Sequence, residues 1–200
     1  MREHDAWLVD LDGTLYQPKA LKLVMAMQLA VAGPRVIRIV SRFRKEHEVV
    51  RHAMLECNPS PFEEQIARTA RALGIDQNEV VATVTRYMFE RPLPWLRRLK
   101  RNDLLREISE FREDGGRTAL VSDYPAKAKL EALGISNLFD RVVASGEPEP
   151  PKRLKPAPDG FLLAAKALGV EPSRCLVIGD RTDADGAAAQ AAGMVFRLVR

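Results

Sequence analysis

The sequence predicts an α/β fold: an open parallel sheet covered by helices on both faces, with an all-helical segment inserted after the first strand. Three observations lead there. An apolar run of strand length, residues 6–10, stands alone near the start of the chain and ends in Asp10-Leu11-Asp12-Gly13-Thr14. Residues 17–112 are rich in Ala, Leu, Arg and Glu, with few strand-like alternations. From Arg117 onward short apolar runs alternate with helical stretches, the text of parallel strands joined by crossover helices. The first strand must join the later ones, because alone it has nothing to pair with.

Taken in order, the first strand runs into Gly13, which marks a tight turn. Helices are expected near 19–31, 35–57, 61–73, 76–90 and 102–113, punctuated by Pro34, Pro59, Pro61, Gly74, Pro92 and Pro94. Ser60 and Pro61 before Glu63 and Glu64 form a helix start, and Gly74 closes that helix. In 35–44, Val36, Val40 and Phe43 fall on one side at helical spacing, so this Arg-rich stretch reads as an amphipathic helix. The block of roughly ninety residues is large enough for a small lobe with its own core. Strands then follow at 118–121, 141–144, 175–178 and 194–198. Between them lie helices at 125–133, 158–168 and 184–192, closed by Gly134, Gly169 and Gly193. The division is therefore an α/β core of 1–16 and 113–200, with 17–112 inserted.

The 200 residues are 46% apolar and 29% charged, which excludes a wholly disordered chain. Two cysteines, Cys57 and Cys175, make neither a disulfide framework nor a thiolate zinc site, and both are expected as small buried apolar groups in a reducing compartment. No secretory signal precedes the first strand, and the longest apolar stretch, 21–33, is shorter than the ~20 residues that a spanning helix needs. The chain is expected to be cytoplasmic. Net charge is +4, but residues 17–112 hold 18 Lys and Arg against 11 Asp and Glu, while the remainder nets −3. A solvated face of Arg-rich helices accounts for this, and a multiply charged phosphoester is compatible with it. Aromatic content of 6% argues against a nucleic-acid groove.

The chemistry gathers at strand ends. One strand ends at Asp10, with Asp12 two residues on; another ends at Ser122-Asp123; a third ends at Gly179-Asp180, with Asp183 and Asp185 close behind. In an open parallel sheet the carboxyl ends of the strands line the ligand crevice, so these residues converge. Several carboxylates in one cleft repel one another, and a hard divalent cation such as Mg²⁺ relieves this. Lys155 adds a cation and Ser122 a hydroxyl. Pro125 at a first helical position would add a helix N-terminus near Ser122, which favours an anion. Together these describe a phosphate site, with Asp10 as candidate nucleophile.

Asp10-Leu11-Asp12-Gly13-Thr14, Val121-Ser122-Asp123, Lys155-Pro156-Ala157-Pro158 and Gly179-Asp180-Arg181-Thr182-Asp183-Ala184-Asp185 resemble, in order, the four motifs of the haloacid dehalogenase superfamily of phosphohydrolases. The resemblance covers about half the chain. It implies a Rossmann-like core, phosphoglycolate-phosphatase-like, with 17–112 as a helical cap. It also implies a Mg²⁺-dependent phosphatase that forms an aspartyl-phosphate on Asp10. Asp12 would be the general acid and base. The carboxylates of Asp10 and Asp180 and the backbone carbonyl of Asp12 would hold the metal, with Asp185 as the second acid of the fourth motif. Ser122 and Lys155 would hold the transferring phosphoryl group. The partner is then a small phosphorylated substrate. A phosphomutase uses the same pair of acids, and a binding protein that keeps the fold and uses the basic cap is the reading from another class.

Two departures stand out. Asp123 occupies a position where many relatives carry a small residue or Asn, and the segment after Thr14 matches no substrate-defined subfamily. Asp183 is expected to be the N-cap of helix 184–192. Lys152 is expected to be solvated. His47 and His52, five apart, do not share a helix face and make no metal pair. Trp95 is expected to pack at the cap–core junction.

Overall fold

A computed structural model describes residues 3–199. The first strand, β1 (Ala6–Asp10), is followed by helices α1 (Pro18–Ala32), α2 (Pro34–His52), α3 (Pro61–Leu73) and α4 (Gln77–Val84). A π-helical turn, Thr85–Glu90, continues α4, and α5 (Leu93–Leu96) and α6 (Asn102–Glu113) complete the helical stretch. The remainder alternates: β2 (Arg117–Ser122), α7 (Lys127–Leu133), β3 (Arg141–Ala144), α8 (Asp159–Leu168), β4 (Cys175–Gly179), α9 (Ala187–Ala191) and β5 (Val195–Leu198).

The five strands are all parallel, in the order β3-β2-β1-β4-β5. The lone first strand is the central one. Its alternation sorts the two faces, since side chains of a strand point to opposite sides. Ala6 and Leu8 join Phe161, Ala164 and Ala188 on one face, and Val9 joins Leu120 and Ile178 on the other. That second cluster continues without a break into Leu21, Ile39, Phe43 and Val84, so the helical segment shares its core with the sheet. The last helix of the segment, α6, packs on the sheet itself: Phe111 stacks on Trp7 at 4.3 Å.

Local chemistry accounts for most boundaries. Ser60 accepts from the backbone N–H groups of Phe62 and Glu63 at the start of α3. Gly74, Gly134 and Gly169 close their helices in the left-handed conformation. Helix α2 stops at His52 and not near 57. Met54 takes φ +45°, its N–H bonds Arg51 O, and Leu55 N bonds Val50 O, a Schellman end built without the glycine that would have announced it. Trp95 is 43% exposed, contrary to expectation; its neighbour Leu96 takes the buried position on α5. No helix among the described residues is long and apolar enough to cross a membrane.

Phe161 is fully buried on α8, with the Lys155 ammonium 5.7 Å from its ring centroid. Phe161→Ala should cost about 3–5 kcal/mol, read as a lowered urea midpoint. A loss below about 1 kcal/mol would mean that this face is not packed as described.

Candidate active site

The chain order of the strands creates the site. From β1 the chain passes to β2 and β3 on one side, then returns to β4 and β5 on the other. The connections part above β1 and β4, the switch point at which ligands bind in such sheets. Asp10 is the last residue of β1, Ser122 ends β2, and Asp180 follows the end of β4. These three, with Asp12, Lys155 and Asp185, line one cavity of about 430 Å³ between the strand tips and the helical segment.

Lys155 is at the centre, 5% exposed. Its ammonium donates to Asp10 Oδ1 at 2.5 Å and Asp185 Oδ1 at 2.8 Å, with Val121 O farther off at 3.4 Å. The other oxygens are also held: Asp10 Oδ2 accepts from Thr14 Oγ1 at 2.9 Å and Asp185 Oδ2 from Arg181 N at 3.1 Å. One carboxylate oxygen each from Asp10, Asp180 and Asp185 lies within 4.8 Å of the others. Two glycines make this approach possible. A Cβ on Gly13, whose φ is +102°, would lie 2.1 Å from Asp180 Oδ2, and one on Gly179 would lie 2.5 Å from the Asp185 carboxyl carbon.

Burial pushes the Asp10 carboxyl up to about 7, against the pull of Lys155 and with a further upward push from Asp185. Asp180 is raised too, by burial and then by Asp185. Burial works to lower the Lys155 pKa, but Asp10 and Asp185 outweigh it and raise it. Asp12 behaves differently. Burial works to raise it, yet Lys129 and Tyr16 hold it below the usual carboxylate range. The Lys129 ammonium reaches both Asp12 oxygens, at 2.5 and 2.7 Å, and the Tyr16 hydroxyl donates to Oδ1.

Lys129 and Tyr16 escaped the sequence reading, although Lys129 left a signal. It sits with Ala126, Leu130 and Leu133 on the inward stripe of α7, where a lysine needs a buried partner. The departure at Asp123 has a structural role: Oδ2 accepts from Arg51 Nη2 at 3.0 Å and Oδ1 from Lys155 N at 3.2 Å. It ties α2 to the lysine-bearing loop. Ser122 Oγ accepts from Tyr124 N at 3.2 Å, which leaves its own proton to donate.

Two expectations are corrected. The helix after Ser122 begins at Lys127 and not at Pro125, and its entry is taken. Glu147 Oε1 accepts from the N–H groups of Ala126 and Lys127, at 3.2 and 3.0 Å, and so occupies the entry of this helix. Asp183 caps nothing; residues 182–186 form a π-helical turn, and the exposed Asp183 carboxylate pairs with Arg181 at 2.5 Å. Asp185, in the same turn, is the buried acid that reaches Lys155. The remaining side chains lie as expected. Lys152 is exposed beside Glu56, both cysteines are free and buried, and the histidines stay apart. His47 is buried against Gln65 and Arg51, while His52 is exposed.

A family model described as haloacid dehalogenase-like hydrolase matches residues 4–193. The fructose-1-phosphate phosphatase YqaB of Escherichia coli is 48% identical over 69 residues, 34% of this chain and 35% of that protein. The glyceraldehyde 3-phosphate phosphatase of Methanopyrus kandleri is 34% identical over 119 residues, 58% of this chain and 46% of the relative. The chain thus spans less than half the length of these relatives. A magnesium-bound structure of Bacillus subtilis YfnB superposes with a TM-score of 0.67 at 17% identity, covering 98% of this chain and 88% of that one, a likeness of fold. The central strand ending in an acid, the switch point beside it and a match across nearly the whole sequence agree: this chain belongs to the haloacid dehalogenase-like hydrolase family.

Proposed function

We propose that the chain is a Mg²⁺-dependent phosphatase that hydrolyses a small phosphorylated metabolite through an aspartyl-phosphate on Asp10, with residues 17–112 as the cap over the site. One observation carries this reading: three carboxylates at the switch point face a single buried ammonium. When all three are ionised, Asp10, Asp180 and Asp185 exceed Lys155 by two negative charges, and all the donors are hard oxygens. A divalent hard cation matches both the charge and the donor set. The carboxylates of Asp10 and Asp180 and the backbone carbonyl of Asp12 would hold it, oriented by Asp185, and when bound it would neutralise charge on the phosphoryl oxygens.

The protein's own groups divide the remaining work. Ser122 and Lys155 hold the phosphoryl oxygens, where charge spreads in the transition state. The Asp10 carboxylate forms a bond to phosphorus as the bond to the ester oxygen breaks, and Asp12 gives that oxygen a proton. Asp12, now ionised, takes a proton from water as its oxygen attacks phosphorus, and the Asp10–phosphorus bond breaks to release phosphate. The ionised, lysine-paired Asp12 described above is the form that the second half-reaction uses. The first requires its protonated form, so the Lys129 contact must loosen then. The two buried thiols support a cytoplasmic setting.

Asp10→Asn should lower phosphate release by roughly four orders of magnitude or more while leaving the circular dichroism spectrum unchanged. Full turnover in this variant would end the mechanism. Gly13→Ala should displace Asp180 and weaken Mg²⁺ dependence by about 10–100-fold. Gly33→Ala, which also has a positive φ but no neighbour within 4 Å of its Cβ, should leave that dependence unchanged. Equal Mg²⁺ titrations in the two variants would refute the cradle. Lys129→Met removes the group that holds Asp12 low. Phosphoenzyme formation needs protonated Asp12, so the alkaline limb of its single-turnover rate should move to higher pH. A limb that stays put, or moves down, would exclude Asp12 as the acid.

A further inference from the structure

The floor of the cavity is polar, and the wall opposite is not. Leu21 and Met25 of α1, Met88 and Phe89 of the π-helical turn, and Leu93 and Leu96 around α5 line the same cavity as Asp10 and Lys155. Met88 and its sequence neighbour Phe89 are both buried in that turn. A sugar or polyol body would need unspent donors and acceptors on this side, since desolvated hydroxyls without partners are costly.

Most buried polar atoms nearby are already committed to one another, the Arg51 Nε–H being a buried donor without a partner among the described residues. His47 Nε2 accepts from Arg51 Nη2 at 2.9 Å, so its Nδ1–H donates to Gln65 Oε1 at 3.2 Å. Gln65 Nε2 in turn donates to Phe43 O at 2.7 Å. Arg51 also binds Asp123 and Glu48, at 3.0 and 3.2 Å. Lys129 and Tyr16 are spent on Asp12. Lys22 and Arg44 line the cavity while remaining exposed, which puts two cations at its mouth, where they attract an anionic ester electrostatically.

We infer that the site takes phosphomonoesters of alcohols with an apolar alkyl or aryl body, in preference to sugar and polyol phosphates. This rests on the phosphatase reading of Asp10. The phosphate goes to the strand tips, and the body lies along the six apolar side chains of the helical wall. The basic excess of residues 17–112 then acts at the mouth and does not recognise a second anionic group.

The test compares kcat/KM for n-alkyl phosphates from ethyl to octyl with that for fructose 1-phosphate, in the presence of Mg²⁺. In parallel, calorimetry measures binding of the matching n-alkyl phosphonates, which cannot be hydrolysed. Both quantities should rise roughly three- to fourfold per methylene until the cavity is filled, and the longer alkyl esters should exceed fructose 1-phosphate. In Leu93→Gln, half-buried on the wall, the slope should flatten. Phosphonate affinity that climbs with chain length without phosphate release from any ester would overturn the phosphatase reading and leave the apolar site standing. Flat phosphonate affinities with efficient hydrolysis of fructose 1-phosphate would overturn the apolar site and leave the phosphatase reading intact.

Discussion

Lys155 shares its buried ammonium between the buried carboxylates of Asp10 and Asp185, at 2.5 and 2.8 Å. The acidic crevice depends on this contact. A buried carboxylate without a counter-charge is costly, and the tips of β1 and β4 bring three together. One lysine lowers that cost without removing it, and the residual negative charge is what makes the crevice suited to a cation. The surrounding backbone is arranged to permit the approach. Gly13 and Gly179 clear the space that Asp180 and Asp185 fill, and Phe161 lies under the lysine from the opposite face of the sheet.

The helical segment is joined to this centre by a second chain of contacts. Arg51 of α2 reaches Asp123, and Asp123 holds the backbone of Lys155. His47 stacks on Tyr124 at 4.3 Å beside the same link. With the continuous core from Ile178 to Phe43, these contacts couple the placement of α2 to the loop that carries the lysine. Part of the positive charge of the segment is held in pairs such as Arg35 with Glu79 and Arg42 and Arg68 with Glu46. The net charge of a sequence stretch is therefore a poor guide to what its cavity recognises.

Asp12 and Asp10 lie two residues apart and have opposite environments. Asp10 is raised by burial, with Lys155 pulling against it and Asp185 adding to it; Asp12 is buried too, but Lys129 and Tyr16 hold it low. The separation is the reverse of what attack by Asp10 and proton donation by Asp12 require, so the proposed first step needs a cation beside Asp10 and a loosened Lys129 contact at Asp12. The low side of the separation comes from Tyr16 and from α7, whose inward stripe carries a lysine in place of an aliphatic residue.

The sequence by itself determined the parallel α/β class, the isolation of the first strand, most helix and strand positions, and the convergence of Asp10, Asp12, Ser122, Lys155, Asp180 and Asp185. It could do so because period-2 and helical patterning, glycine C-caps and strand-end acids are local signals. Where a boundary lacked its usual residue, as at Met54, or a helix opened on a π-helical turn, as at Thr182, the local text misled. Partnership lay beyond it. Nothing near Lys129 in the chain names Asp12, 117 positions away, and nothing near Pro125 shows that Glu147 already occupies the helix entry. Only the tertiary structure decided which charges are spent on one another and which wall faces the crevice. Burial raises the cost of an unpaired group and so selects its partner by distance in space, whatever the separation along the chain.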